Sequence, residues 1–332
     1  MFNLLSKKLK TVTRLPMPPS LCRFTPKQLS SSKNPDLVRA TFKSFGLTET
    51  QLQGVISKVP ALLTYNPESV LKPKLAFLFG FQVPSSVMAD LIAKQPSILN
   101  MSLDKQIIPS YNLLREYAEQ DSDIITILKR CPRAFKSSKD SIEACLRELG
   151  GEEGMPKSNI TRLLIRAPRT FNVPIDKFRD IVLKVKSFGF NPRNQNFCTA
   201  LQTLSSVSEE IWQNKLKVFP NFGWNEADVI NLFRKSPRVM EGSEEKIREV
   251  LKFLVNKLNW GPAEASKYPV VFTLSPEKKL NPRYAVIQLL ISKKKVNENI
   301  KLGPVFKMSD DTFKDKFIDG NEELVADLVD LF

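Results

Sequence analysis

The sequence predicts an all-α fold: a curved solenoid, right- or left-handed, of about seven to eight helical repeats of 32–36 residues. Three observations predict it. Prolines recur at Pro60, Pro96, Pro132 and Pro168, each 36 residues after the last, with Pro237 and Pro269 following. A three-position apolar face precedes most of them. An aromatic-glycine pair closes many of the units.

The apolar face sets the first helix of each unit. Leu52, Met88, Ile124, Ile160 and Val229 stand eight residues before an anchor proline. Val55, Leu91, Ile127, Leu163 and Leu232 stand five before, and Ile56, Ile92, Leu128, Leu164 and Phe233 four before. Offsets of i, i+3 and i+4 share one helical face. Proline then ends the helix, because it lacks an N–H, strikes the preceding turn and pushes the residue before it out of the α region. It also suits the first position of a new helix, so a short turn is expected to open at each anchor. Leu63, Leu99, Phe135, Phe171, Val207, Met240 and Phe272, three residues on, supply an apolar contact for that turn.

A second, longer helix is expected in each unit: Lys74 to Phe79, Ile107 to Tyr117, Ser141 to Leu149, Asp176 to Phe188, Glu209 to Phe219 and Glu244 to Leu258. Gly46, Gly80, Gly189, Gly223 and Gly261, each after an aromatic residue, are read as left-handed caps. The stretch 150–154 reads as a loop. The fifth unit is degenerate, with Asn196, Thr199 and Leu204 at key places, and the seventh has Gly261 and Glu264 where apolar residues belong. Stacked units would bury their faces in one continuous core.

Composition narrows the function. The 332 residues carry 50 bases against 35 acids, a net charge of +15, which favours a polyanionic partner. There is no histidine, which removes Ser-His-Asp and Cys-His catalysis and histidine-held zinc or haem. Cys22, Cys131, Cys145 and Cys198 form no C-x-x-C pair, so neither a zinc site nor a disulfide framework is expected. No run is apolar over the roughly 18 residues a membrane span needs. No phosphate-cradling glycine motif occurs. No enzyme activity, cofactor or metal is expected, nor a membrane partner; a monomer is.

Residues 1–33 are expected to be a disordered organelle transit peptide. The first acid is Asp36, and seven bases precede it, with Ser30, Ser31 and Ser32. A basic arm that itself touches nucleic acid is the competing reading. Residues 34–318 form the repeat domain and residues 319–332 an acidic C-terminal tail.

The lines Ile127–Phe135, Leu163–Phe171 and Leu232–Met240, each with an apolar residue before a base and a Pro-Arg pair, resemble the mitochondrial transcription termination factor (mTERF) family. The tail from Leu302-Gly303-Pro304 to Phe317 is similar to the ending of plant members. The resemblance covers roughly residues 36–318. It implies a solenoid with a basic concave face that binds double-stranded DNA, in some members RNA, in mitochondria or chloroplasts. Family members act in transcription termination or initiation and in intron splicing.

Two columns of bases are candidates for phosphate contact. One lies two residues before each anchor: Lys58, Lys94, Arg130, Arg166, Lys235 and Lys267, with Gln202 in the fifth unit and Arg234 beside Lys235. A base in the last helical turn is also what the macrodipole favours, by about 0.3–1 kcal/mol. The second column is Arg133, Arg169 and Arg238, directly after the proline. A cation in a first turn has no local reason to be there, so phosphate is its expected partner; pairing with an acid of a neighbouring unit is the alternative. Lys293-Lys294-Lys295 reads as a solvated loop. The expected function is DNA binding in transcriptional control, with RNA processing and a scaffold for protein partners as alternatives. The expected location is the mitochondrion, with the chloroplast second.

Overall fold

The computed structural model describes residues 35–135 and 139–324, so the expected transit peptide and the end of the acidic tail lie outside the described residues. Among the described residues there is no strand. A leading helix, α1 (Pro35–Ser44), packs on the first unit. First helices of successive units are α2 (Glu49–Lys58), α4 (Ser85–Lys94), α6 (Asp121–Arg130), α8 (Lys157–Arg166), α10 (Gln195–Ser206), α12 (Glu226–Lys235) and α14 (Pro262–Ala265). Second helices are α3 (Lys72–Phe79), α5 (Ile108–Arg115), α7 (Lys139–Arg147), α9 (Ile175–Ser187), α11 (Glu209–Leu216), α13 (Glu244–Leu258) and α15 (Asn281–Ser292). First helices stack in order from α2 to α10, and α5, α7 and α9 stack likewise. One continuous core runs from Val38 to Phe306, made of the faces read from the sequence.

Each anchor proline opens a 3₁₀ turn: Pro60–Thr64, Pro96–Asn100, Pro132–Phe135, Pro168–Phe171, Pro237–Met240 and Pro269–Thr273. The residue before it leaves the helical region as steric reasoning requires. Val59, Gln95, Cys131 and Ala167 have φ between −139° and −136° and ψ between 57° and 84°. Each still donates its N–H to a carbonyl four residues back, so the first helix closes cleanly. Leu99, Phe135, Phe171 and Met240 fill the core beneath the turn, fully buried. In the first unit Leu62 takes that place and Leu63 is only partly buried.

Three expectations are corrected. The first two second helices start earlier than read, in π turns at Pro67–Leu71 and Leu103–Ile107 capped by Asn66 and Ser102. Pro73 and Pro109 obscured this in the sequence. They sit at the second position of the α-helix that follows, where a missing N–H costs little. A third such turn, Pro276–Leu280, precedes Pro282, and a fourth, Glu148–Glu152, takes up most of the expected 150–154 loop. Gly46, Gly189 and Gly223 are left-handed as expected, but Gly80 has φ −76° and Gly261 φ −82°. At the latter end Asn259, at φ 52°, is the left-handed residue.

After α15 the chain turns through Lys293–Lys295 into α16 (Leu302–Lys307) and α17 (Asp310–Phe317), over a second core of Val286, Leu290, Phe313 and Phe317, against which Leu324 also packs. Arg283 holds this end in place. Fully buried, it donates to the carbonyls of Val305, Phe306 and Met308 and pairs with Asp310 at 2.8 Å.

Candidate nucleic-acid interface

The proline break leaves the last carbonyls of each first helix without helical partners, and the chain supplies the donors from the preceding unit. Lys58 Nζ donates to the carbonyls of Ala93 and Lys94 at 2.9 and 3.2 Å. Gln95 Nε2 donates to Lys129 O at 3.3 Å. Arg130 Nη1 donates to the carbonyls of Ile165 and Arg166 at 2.7 and 3.1 Å. Lys235 Nζ donates to Ser266 O at 3.1 Å. In three units, at Lys58, Arg130 and Lys235, the base two residues before the anchor therefore caps the helix of the next unit rather than its own. A second ladder runs through buried positions: Lys74 Nζ donates to Leu99 O and Lys215 Nζ to Met240 O, each at 2.7 Å and 25 residues ahead. Burial pushes both ammonium groups below the usual lysine range.

The second column is not in first turns of α-helices. Arg133, Arg169 and Arg238 sit in 3₁₀ turns of four residues, too short to build an appreciable dipole. For Arg169 the reason expected from outside is inside the protein: its Nε donates to Arg130 O at 3.1 Å, on the preceding unit. Its terminal Nη groups remain turned to solvent, with no hydrogen bond or ion pair among the described residues. Arg133 and Arg238 are exposed and in no bond or ion pair among the described residues.

Arg133 and Arg169 share a groove of about 650 Å³ that crosses three units and is lined also by Asn100, Gln106, Pro132 and Asn172. Cys131 lies in its floor. Burial pushes that thiol up, opposed by the Arg133 backbone N–H and the Arg169 charge. Through the bond from Arg169 to Arg130 and those from Arg130 to the end of α8, four bases come together: Arg130, Arg133, Arg166 and Arg169. Lys94 and Arg166 are exposed and make no side-chain bond among the described residues. Arg238 and Lys235 stand two units further on, outside the groove. Arg234 is drawn the other way: its Nε donates to Phe188 O at the end of α9, and its guanidinium covers Gly189, where a Cβ would come within 3.3 Å. Lys129, exposed beside Arg130, was missed in the sequence because it stands off both columns.

The charge balance differs across the molecule. Lys72, Arg115, Arg147, Arg179, Lys184 and Lys186, on or at the ends of second helices, are all ion-paired. Lys58, Lys94, Arg130, Arg133, Arg166, Arg169, Lys235 and Arg238 are in no ion pair among the described residues; Lys267 of the seventh unit pairs with Glu264. The edge bearing the proline turns thus keeps its positive charge.

A family model, mTERF, matches residues 40–249 and 152–314, nearly the whole described chain. The protein belongs to the mTERF family. This agrees with the repeat architecture and gives the chain the family's general character, that of organellar nucleic-acid-binding proteins in transcription- and RNA-related regulation. No curated protein matches this mTERF chain. Among its described residues no helix is long and apolar enough to cross a membrane, and no cluster of Cys, Asp and Glu could hold a metal ion.

Proposed function

We propose that this mTERF protein binds double-stranded DNA along its proline-turn edge and controls transcription, including termination, in the mitochondrion. The observation that carries the reading is the unneutralised charge of that edge. Six bases on or beside the second helices have acidic partners; the eight on this edge have none among the described residues, and two of them face one groove. Bonds to backbone carbonyls orient Arg130 and Arg169 without cancelling their charge, so they meet a phosphate already ordered. Phosphate contacts supply affinity, and the groove amides of Asn100 and Gln106 are placed to touch base edges.

The test is replacement of Arg133, Arg169 and Arg238 by Gln together, with duplex binding measured across salt concentrations. Every phosphate that the variant no longer engages is expected to reduce the slope of log K against log salt by about 0.9. Affinity and slope both unchanged would remove these residues from the interface and shift the reading to Lys94, Arg130, Arg166 and Lys235. Structured RNA is measured beside the duplex; tighter binding of RNA replaces the ligand and makes the protein a factor in splicing or processing. A reporter fused to residues 1–40 tests the address, with mitochondrial import expected, chloroplast import the second outcome, and a cytosolic reporter refuting both.

A further inference from the structure

A pocket of about 350 Å³ lies between the seventh unit and the C-terminal helices. A defect in the repeat creates it. α14 has four residues, where the first helix of the sixth unit has ten, so one wall is missing. The residue ahead of the anchor is Tyr268, where other units carry Val59, Gln95, Cys131, Ala167 and Ser236. Tyr268 stacks on Trp260, ring centroids 5.6 Å apart and planes 28° from parallel. Both rings are only partly buried, whereas Trp212 and Trp224 are each 2% exposed. Gly303 lies flat against Tyr268, where a Cβ would collide with the rigid ring. Charged groups stand at the rim. Lys267 occupies one oxygen of Glu264 at 2.5 Å and leaves the other open. Lys301 is exposed and makes no side-chain bond among the described residues.

We infer that this pocket binds an unpaired nucleobase, guanine in preference to adenine. The base stacks on Trp260, whose other face rests on Tyr268, a contact every base can make. Guanine's N1–H and 2-amino group donate to the open carboxylate oxygen of Glu264, which only accepts. Its phosphate meets the Lys301 ammonium. The inference rests on the nucleic-acid reading for its class of ligand but uses none of the proline-turn bases, so the two fail separately.

The experiment compares a blunt duplex, the same duplex with a single-stranded guanine overhang, and free GMP, on the full chain. The overhang is expected to bind about tenfold tighter than the blunt end and to shield Trp260, the one partly exposed tryptophan, from acrylamide quenching. Trp260→Leu and, without touching the core, Lys301→Gln should each remove most of that gain and leave blunt binding unchanged. A gain of the same size with an adenine overhang overturns the role of Glu264. Quenching protection by GMP at concentrations where the overhang gives no gain identifies a free nucleotide as the occupant and keeps the pocket. Equal affinity for blunt and overhanging duplex, with no effect of GMP on Trp260, overturns the proposal; if the Arg133, Arg169 and Arg238 dependence stands in that protein, the interface survives it.

Discussion

The third and fifth units show what one proline does. In the third, Pro132 stops α6 at Arg130, the Cys131 backbone turns out of the helical region, and the carbonyls at the helix end take donors from outside. In the fifth, Leu204 stands at the anchor, α10 runs two residues longer than α6, to Ser206, and no 3₁₀ turn follows. Carbonyls near its end accept from its own hydroxyls, Leu201 O from Ser205 Oγ at 2.6 Å and Thr203 O from Ser206 Oγ at 2.8 Å. Arg166 then has nothing to cap. Arg130 reaches forward onto α8, but the equivalent reach of Arg166 onto α10 meets a helix that has not ended. The same residue type at the same repeat position is a structural donor in one unit and an unengaged cation in the next.

That contrast can be broken most severely by restoring the proline. Leu204 is buried within α10, and Leu204→Pro removes a helical hydrogen bond and places the ring against the preceding turn, so a loss of about 3 kcal/mol or more is expected in denaturant unfolding. A stability equal to wild type would mean that the fifth unit can adopt the standard break and that its long helix is incidental.

A finer test separates the two arginines. Arg130→Gln gives up two charge-assisted bonds at an exposed site and should cost about 1 kcal/mol. Arg166→Gln gives up none and should stay within about 0.5 kcal/mol. Both should weaken duplex binding. Equal stability losses would refute the reading of Arg166 as unengaged.

The smallest effect sharpens the packing of the second unit on the third, which the fifth does not reproduce. Tyr111 donates to Asp121 at 2.9 Å, and burial first, then that bond, pushes its phenol up to about 12. A raised folded-state value means the protonated form is favoured by folding. The contribution is complete below pH 10 and is lost as pH rises through about 12. Melting temperatures of wild type and Tyr111→Phe should therefore converge over that range; parallel curves would show that the phenol titrates normally.

Much of the fold was legible because its causes are local. Pro60 to Pro269 stop helices by sterics within one residue, and Val55, Leu91, Ile127 and Leu163 mark the buried face by period alone. The starts of the first second helices were not, because Pro73 and Pro109 look like boundaries and the π turns before them carry no such sign. The site was legible by half. The column of Lys58, Arg130 and Lys235 was visible, but its partners lie 31–36 residues ahead, and no local rule names them. Lys74, Lys215 and Arg283, buried donors to carbonyls of the following unit or helix, were masked because lysine and arginine are read as surface residues.

The sequence by itself determined where helices break and which side of each is apolar, since chain sterics and hydrophobic period act over a few residues. Only the tertiary structure decided which charges are free. A guanidinium or ammonium bonds whatever carbonyl or carboxylate the next unit brings within about 3 Å, and stacking sets that neighbour. It turned Arg130, Arg169 and Arg234 toward backbone carbonyls, left Arg133, Arg166 and Arg238 in solvent, and gathered on one edge the charge that the composition could only count.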